Sequence, residues 1–272
     1  MVAEATHSWA DTGNEVFLYL AERRSTRDAD RDHPLGYGRA AYVWSMMAAF
    51  GLFAVGAAVS LLHGIQSLGE AESDTDYFWA YVVLAGSFLL ESTSFLQAQR
   101  QLRSSAAKAS MPRLGYLSAT SNPTLRAVFF EDASALIGIL LAAAGILAHQ
   151  LTGNPVWDAI GSILVGILLG IVAIYLLSRN MDFLVGQVAD ARIIDTVRAW
   201  LLDQPEVTSV SYLHLEFVGP ERLLCIASVD LSGDDPESAA AAELASLEAR
   251  LEAQPTVQKA IITLGPAVAT EA

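Results

Sequence analysis

His7 and Asp11 stand four residues apart in the stretch His7-Ser8-Trp9-Ala10-Asp11-Thr12-Gly13-Asn14. On a helix that spacing puts both side chains on one face, where a neutral imidazole and a carboxylate can ligate the same ion. The pair suits zinc, and also manganese, iron or cobalt. Three more acids, Glu91, Glu131 and Asp132, lie inside otherwise apolar segments. A bare charge is costly in hydrocarbon, so ionisable groups within a span mark ion or proton pathways, or pair with neighbours. The competing reading is that these acids only pair with Ser, Thr or Asn on adjoining helices.

The elements that must position these groups are apolar helices. Segments 40–68, 77–97, 123–151 and 155–177 are each long enough to cross a bilayer, which takes about 20 residues. The stretch 1–24 is more polar, yet it interleaves Val2, Trp9, Val16, Phe17 and Leu20 with Glu4, His7, Asp11 and Glu15. It reads as a helix inside a bundle, its polar face turned from lipid. At about 1.5 Å per residue, Asp11 lies roughly 18 Å above Arg23, and Asp132 roughly 9–14 Å above Arg126 and Pro123. Both fall near the middle of a hydrocarbon core about 30 Å thick.

Composition agrees with a membrane protein. The 272 residues are 53% hydrophobic and 17% charged, where soluble domains carry about a quarter charge. Arg23, Arg24, Arg27, Arg31 and Arg39 follow the first helix, and Arg100, Arg103, Lys108, Arg113 and Arg126 lie between 97 and the body of the next span. The opposite connections, 69–76 and 152–154, hold no Lys or Arg. This asymmetry places both basic loops, and the tail after them, in the cytoplasm. By the same count the first helix enters from outside, so an even-spanned protein with a cytoplasmic start needs one more helix before Met1.

The tail is acidic, with fourteen Asp and Glu against five Lys and Arg in 183–272. That charge excludes the basic surface a nucleic-acid partner requires. The single cysteine, Cys225, offers neither a disulfide framework nor a thiolate cluster within one chain. Helix 191–204, strands 207–218 and 223–231 joined at Gly219-Pro220, helix 237–253 and strand 257–264 give an α-β-β-α-β order. The expected core includes Leu215, Ile226, Val229, Leu247, Ile261 and Leu264. The chain therefore divides into a transmembrane part, 1–182, and a cytoplasmic α+β dimerisation domain, 183–272.

Four stretches carry a resemblance. His7 to Asn14 resembles the second transmembrane helix of cation diffusion facilitators, where an HxxxD or DxxxD pair binds the transported ion. Asp32-His33-Pro34-Leu35-Gly36-Tyr37-Gly38-Arg39 resembles the loop before the third helix. Phe130-Glu131-Asp132-Ala133-Ser134-Ala135-Leu136-Ile137-Gly138 is similar to the fifth helix, and Asp158-Ala159-Ile160-Gly161-Ser162 to the start of the sixth. The Glu-Asp wording of the fifth helix is nearest the zinc transporter 9-like branch.

The resemblance implies an α-helical membrane bundle lacking the first of six helices, followed by a ferredoxin-like, metallochaperone-like domain. It implies a homodimer that exports a divalent cation, zinc foremost, in exchange for protons. His7, Asp11 and Asp132 would be ligands. Family members usually carry His or Asp four residues before the fifth-helix Asp, and here that place is Val128. Glu131, Asn14, Glu91 or a water would supply the fourth ligand that zinc takes. Some relatives hold a second metal in the first loop with one Asp and two His. Asp30 and His33 match that set and Tyr37 replaces the second His, so Gly36 and Gly38 are expected simply to shape a turn around a solvated Asp30. His63 is expected to be a satisfied bundle histidine, His149 interfacial, and Asp158 an N-terminal cap or charge on its helix. No nucleophile–base set or HExxH occurs, so an enzyme is not expected. The alternative class is a degenerate, non-transporting membrane protein that binds metal or a partner.

Overall fold

In a computed structural model of the protein, residues 16–68 and 77–266 are described, and they form two compact units. The first holds 16–21 and the described residues of 43–180. The second holds 22–42 and 181–266.

Helix α1 covers 16–25, and Phe17 stacks on Trp44 of α2 (Ala40–Ala49) with ring centroids 6.1 Å apart. A π-helical turn, Phe50–Ala54, leads from α2 into α3 (Val55–Ser67) without a break, since Ala54 itself keeps helical angles. The segment expected as one span is thus one helical run with a widened turn in its middle. Helices α4 (Tyr77–Lys108), α6 (Pro123–Thr152) and α7 (Val156–Val185) are, among the described residues, those long and apolar enough to cross a membrane. At ~1.5 Å per residue each reaches about 45 Å, beyond a hydrocarbon core of about 30 Å. Helix α4 continues past the expected end because 98–108 holds good helix formers and no Gly or Pro. It stops where Ser110 adopts φ 52, just before Pro112.

The ends of α6 follow from local chemistry. Asn122 accepts the Leu125 amide at 3.1 Å and Pro123 occupies the first turn. Gly153, at φ 68, closes the far end by donating its N–H to the His149 carbonyl at 2.8 Å. Asn154 then caps α7 by accepting the Val156 amide at 3.0 Å, while Asp158 sits in the first turn as a charge facing the helix dipole. Arg126, counted in the sequence as a loop charge, lies within α6 and is fully buried. Its guanidinium donates to the carbonyls of Leu117 and Thr120 at the end of α5 (Arg113–Ala119), and Arg179 donates to the Ser118 carbonyl at 2.6 Å. Cations thereby satisfy carbonyls that a helix C-terminus leaves open.

Close helix approach depends on small residues. A Cβ on Gly145 would lie 2.9 Å from the Trp157 carbonyl oxygen, and one on Gly166 3.0 Å from that of Ala57. Large apolar side chains such as Phe78, Leu90, Leu151 and Ile174 remain exposed on the long helices, the pattern of a surface that meets lipid.

The second unit has the expected α-β-β-α-β order. Helix α8 (Ala191–Leu202), capped by Asp190, precedes β1 (Val207–Gly219) and β2 (Arg222–Leu231), which pair antiparallel. Helix α9 (Glu237–Glu252) is the crossover that returns β3 (Val257–Leu264) parallel to the central β2. The hairpin turns at Pro220-Glu221, with Glu221 at φ 59, one residue later than the Gly219-Pro220 reading. One sheet face, with Leu215, Cys225, Ala227, Val229, Ala260 and Ile262, is buried among residues such as Leu201, Leu247 and Leu251 of the helices. Ile261 and Leu264, expected in the core, are exposed, and Ile226 is only half-buried. All apolar neighbours in these strands satisfy hydropathy, so only the pairing register decides which alternate set turns inward. Segment 187–189 lies along the outer edge of β1, with Ala189 donating to Leu215 and Phe217 to Gln187 at 2.9 and 3.0 Å.

Candidate functional site

His7, Asp11 and Asn14 lie outside the described residues. The remaining acids belong to the first unit and to a pair of antiparallel helices. Contacts step along α4 and α6 in opposite directions: Tyr77 meets His149 edge-on at 5.7 Å, Tyr81 donates to Gln150 at 3.3 Å, and Phe95 packs on Phe129 at 5.5 Å. Within this seam Asp132 is buried, 5% exposed. Ser94 of α4 places its hydroxyl 3.0 Å from each carboxylate oxygen of Asp132.

That contact is what the pairing alternative anticipates, but it is chemically incomplete. An ionised carboxylate has about four acceptor sites and one hydroxyl offers a single proton. Among the described residues Ser94 is the donor to this carboxylate, which leaves acceptor sites that a cation can take. Ser94 escaped the sequence reading. The signal for it is the polar run Glu91-Ser92-Thr93-Ser94 in an apolar helix, in which only the acid carries a charge.

Glu131 is half-buried and, one residue from Asp132, is turned about 100° around the same helix. Its carbonyl accepts the Ser134 hydroxyl at 2.9 Å. Glu91 is also half-buried and stands one turn before Ser94, about 4.5 Å along α4 towards its Tyr77 end. Val128, one turn before Asp132, is half-buried. Among the described residues no three or more His, Cys, Asp or Glu side chains cluster as metal ligands. His63 is exposed on α3, contrary to the expectation of a satisfied bundle histidine, and His149 is buried against Tyr77.

The second unit accounts for the remaining candidates. Asp30 is the hub of a closed turn and not simply a solvated carboxylate. It accepts from the amides of Asp32 and His33 at 3.1 and 2.8 Å and from the Tyr37 hydroxyl at 2.7 Å. Tyr37, where some relatives have a ligand, is thus a donor, and its bond chiefly holds the Asp30 carboxyl below its ordinary range. Arg27 lies over the Tyr37 ring at 4.5 Å and His33 packs against it at 4.1 Å. Gly36 takes φ 75, as a turn glycine, whereas Gly38 is needed for space: a Cβ there would lie 2.6 Å from the Val218 carbonyl oxygen. Arg39 pairs with Glu216, which also meets His214 at 3.5 Å. His214 pairs opposite Ile226 and Cys225 opposite Leu215, so the two point to opposite sheet faces.

Acidic groups within and between membrane-length helices, followed by a small α+β unit, define a helical membrane protein with an ionisable core. The cation efflux transmembrane domain matches residues 1–185, and the chain belongs to the cation efflux family. It is 36% identical to Metal tolerance protein C4 of Arabidopsis thaliana over 233 residues, 86% of this chain and 51% of that protein. It is 33% identical to the Proton-coupled zinc antiporter SLC30A9, mitochondrial, of Xenopus laevis, and 31% to that of Homo sapiens, again over 86% of this chain and over 42% and 41% of those proteins. The chain thus spans about half the length of the curated relatives it matches.

Proposed function

We propose that the protein is a secondary active transporter that exports a divalent cation, most readily zinc, in exchange for protons. The observation that carries this reading is the buried Asp132 carboxylate, with Ser94 its one donor among the described residues, in the α4–α6 seam of a cation efflux domain. In this reading His7, Asp11 and Asp132 bind the ion. Glu131, Asn14, Glu91 or a water completes four-coordination. Glu91, about a turn away on the Ser94 flank of α4, suits a proton or ion step beside the site. Protons and metal compete for the same deprotonated ligands, so a proton arriving at the site releases the ion. Manganese, iron and cobalt are chemically admissible alternatives. The name of the Xenopus and human relatives supports zinc and proton coupling.

The loop charges support a cytoplasmic tail, with 1–182 acting in the membrane and 183–272 as the dimerising domain of a homodimer. The protein's direct partners are then the cation, protons, the lipid bilayer and a second copy of the chain. A second reading, a non-transporting membrane protein, draws support from the Ser94–Asp132 bond, which a purely structural acid would also make. Zinc uptake by proteoliposomes separates the two: a transporter gives saturable flux that Asp132→Asn removes, and a non-transporter gives none with either chain.

A further inference from the structure

We infer that Ser94 is a positioning residue for the ion: its hydroxyl fixes the Asp132 carboxylate in the orientation that receives the cation. The inference rests on the proposed reading of Asp132 as a ligand and adds to it a residue from a neighbouring helix, α4. Ser94 lies on α4 and Asp132 on α6, so their bond ties the carboxylate to a neighbouring helix and not to its own. The hydroxyl stands 3.0 Å from both oxygens, which opposes rotation of the carboxylate about its last bond. The support is itself packed. Phe95, next to Ser94, packs on Phe129, which is itself buried one turn before Asp132. Ala98 and Leu102 continue the buried flank of α4. With its α4 side occupied by Ser94, Asp132 offers its remaining acceptor sites elsewhere. Groups that orient metal ligands in this way typically govern affinity by 10–100-fold.

The test is zinc flux as a function of zinc concentration in proteoliposomes bearing the whole protein, for wild type, Ser94→Ala, Ser94→Thr and Asp132→Asn. Ser94→Ala should raise the zinc KM about 10–100-fold while maximal flux stays within about twofold, and Ser94→Thr, which keeps the hydroxyl, should return KM to near wild type. Should Ser94→Ala fail to insert, Ser94→Val, isosteric with threonine and without the hydroxyl, should show the same rise in KM. An unchanged KM in the alanine variant, a loss of maximal flux at constant KM, or a threonine variant as impaired as alanine overturns the inference. Flux that persists in Asp132→Asn overturns instead the reading of Asp132 as a ligand, so the two failures are distinguishable.

Discussion

At the scale of single residues, the decisive group is a carboxylate whose acceptor capacity exceeds what its neighbour supplies. If Asp132 acts with His7 and Asp11, then His7→Ala, Asp11→Ala and Asp132→Asn should each lower zinc flux to the background of protein-free liposomes. The variants should still insert, because ligands and not packing atoms are removed; normal flux from Asp11→Ala would eliminate the site. Val128, half-buried one turn before Asp132, allows a complementary gain. Val128→His should add a ligand on the Asp132 flank and tighten zinc binding measured by calorimetry, whereas unchanged affinity would mean that another residue already fills that coordination place. Cys225 has the opposite character. Burial pushes its thiol up to about 11, and the thiolate is the reactive form. Alkylation by iodoacetamide at pH 8 should be on the order of a hundredfold slower in the folded protein than in denaturant. Equal rates would mean that the tail core opens readily. The acids were legible in the sequence because charge is conspicuous in an apolar run. Ser94 was not, since a serine in a helix carries no such cost and only the crossing of two helices gives its hydroxyl a partner.

At the scale of elements, α6 and α7 lie close enough that glycine is a requirement of space. The Cβ of a residue at 145 would meet a backbone oxygen at 2.9 Å, and a carbonyl in a helix cannot swing away as a side chain can. Gly145→Val should cost about 1–3 kcal/mol of stability, read as a lower melting temperature in detergent, with Gly153→Val as a comparison where a Cβ meets nothing within 4 Å but φ is 68. A melting temperature unchanged in Gly145→Val would refute the close approach. The order of the long helices and of the tail elements was plain from hydropathy and from Pro and Gly punctuation, whereas the short helix α5 and the Asn122 and Asn154 caps emerge only in the structure. Register was not. In β3 the run Ala260-Ile261-Ile262 is apolar throughout, and pairing with Cys225 and Ala227 selects Ala260 and Ile262 for the core. The π-helical turn at Phe50–Ala54 likewise leaves no trace in hydropathy, because it adds a residue to a turn without changing the apolar character of the run.

At the scale of the molecule, the segment 22–42 belongs to the unit that contains the tail, through the Gly38–Gly219 approach and the Arg39–Glu216 pair. A sequence reading treats it as a loop because its contacts are to residues nearly two hundred positions away. The Asp30–Tyr37 bond closes this segment on itself. What the whole protein does with its core acids is a question of coupling. The direct measurement is zinc movement in sealed proteoliposomes at equal zinc on both sides, with a pH difference imposed and then reversed. Exchange of zinc for protons predicts that zinc accumulates against its own gradient on the more acidic side, that the direction inverts with the pH difference, and that Asp132→Asn abolishes both. Zinc that equilibrates without regard to the direction of the pH difference, or that does not move, would contradict the account.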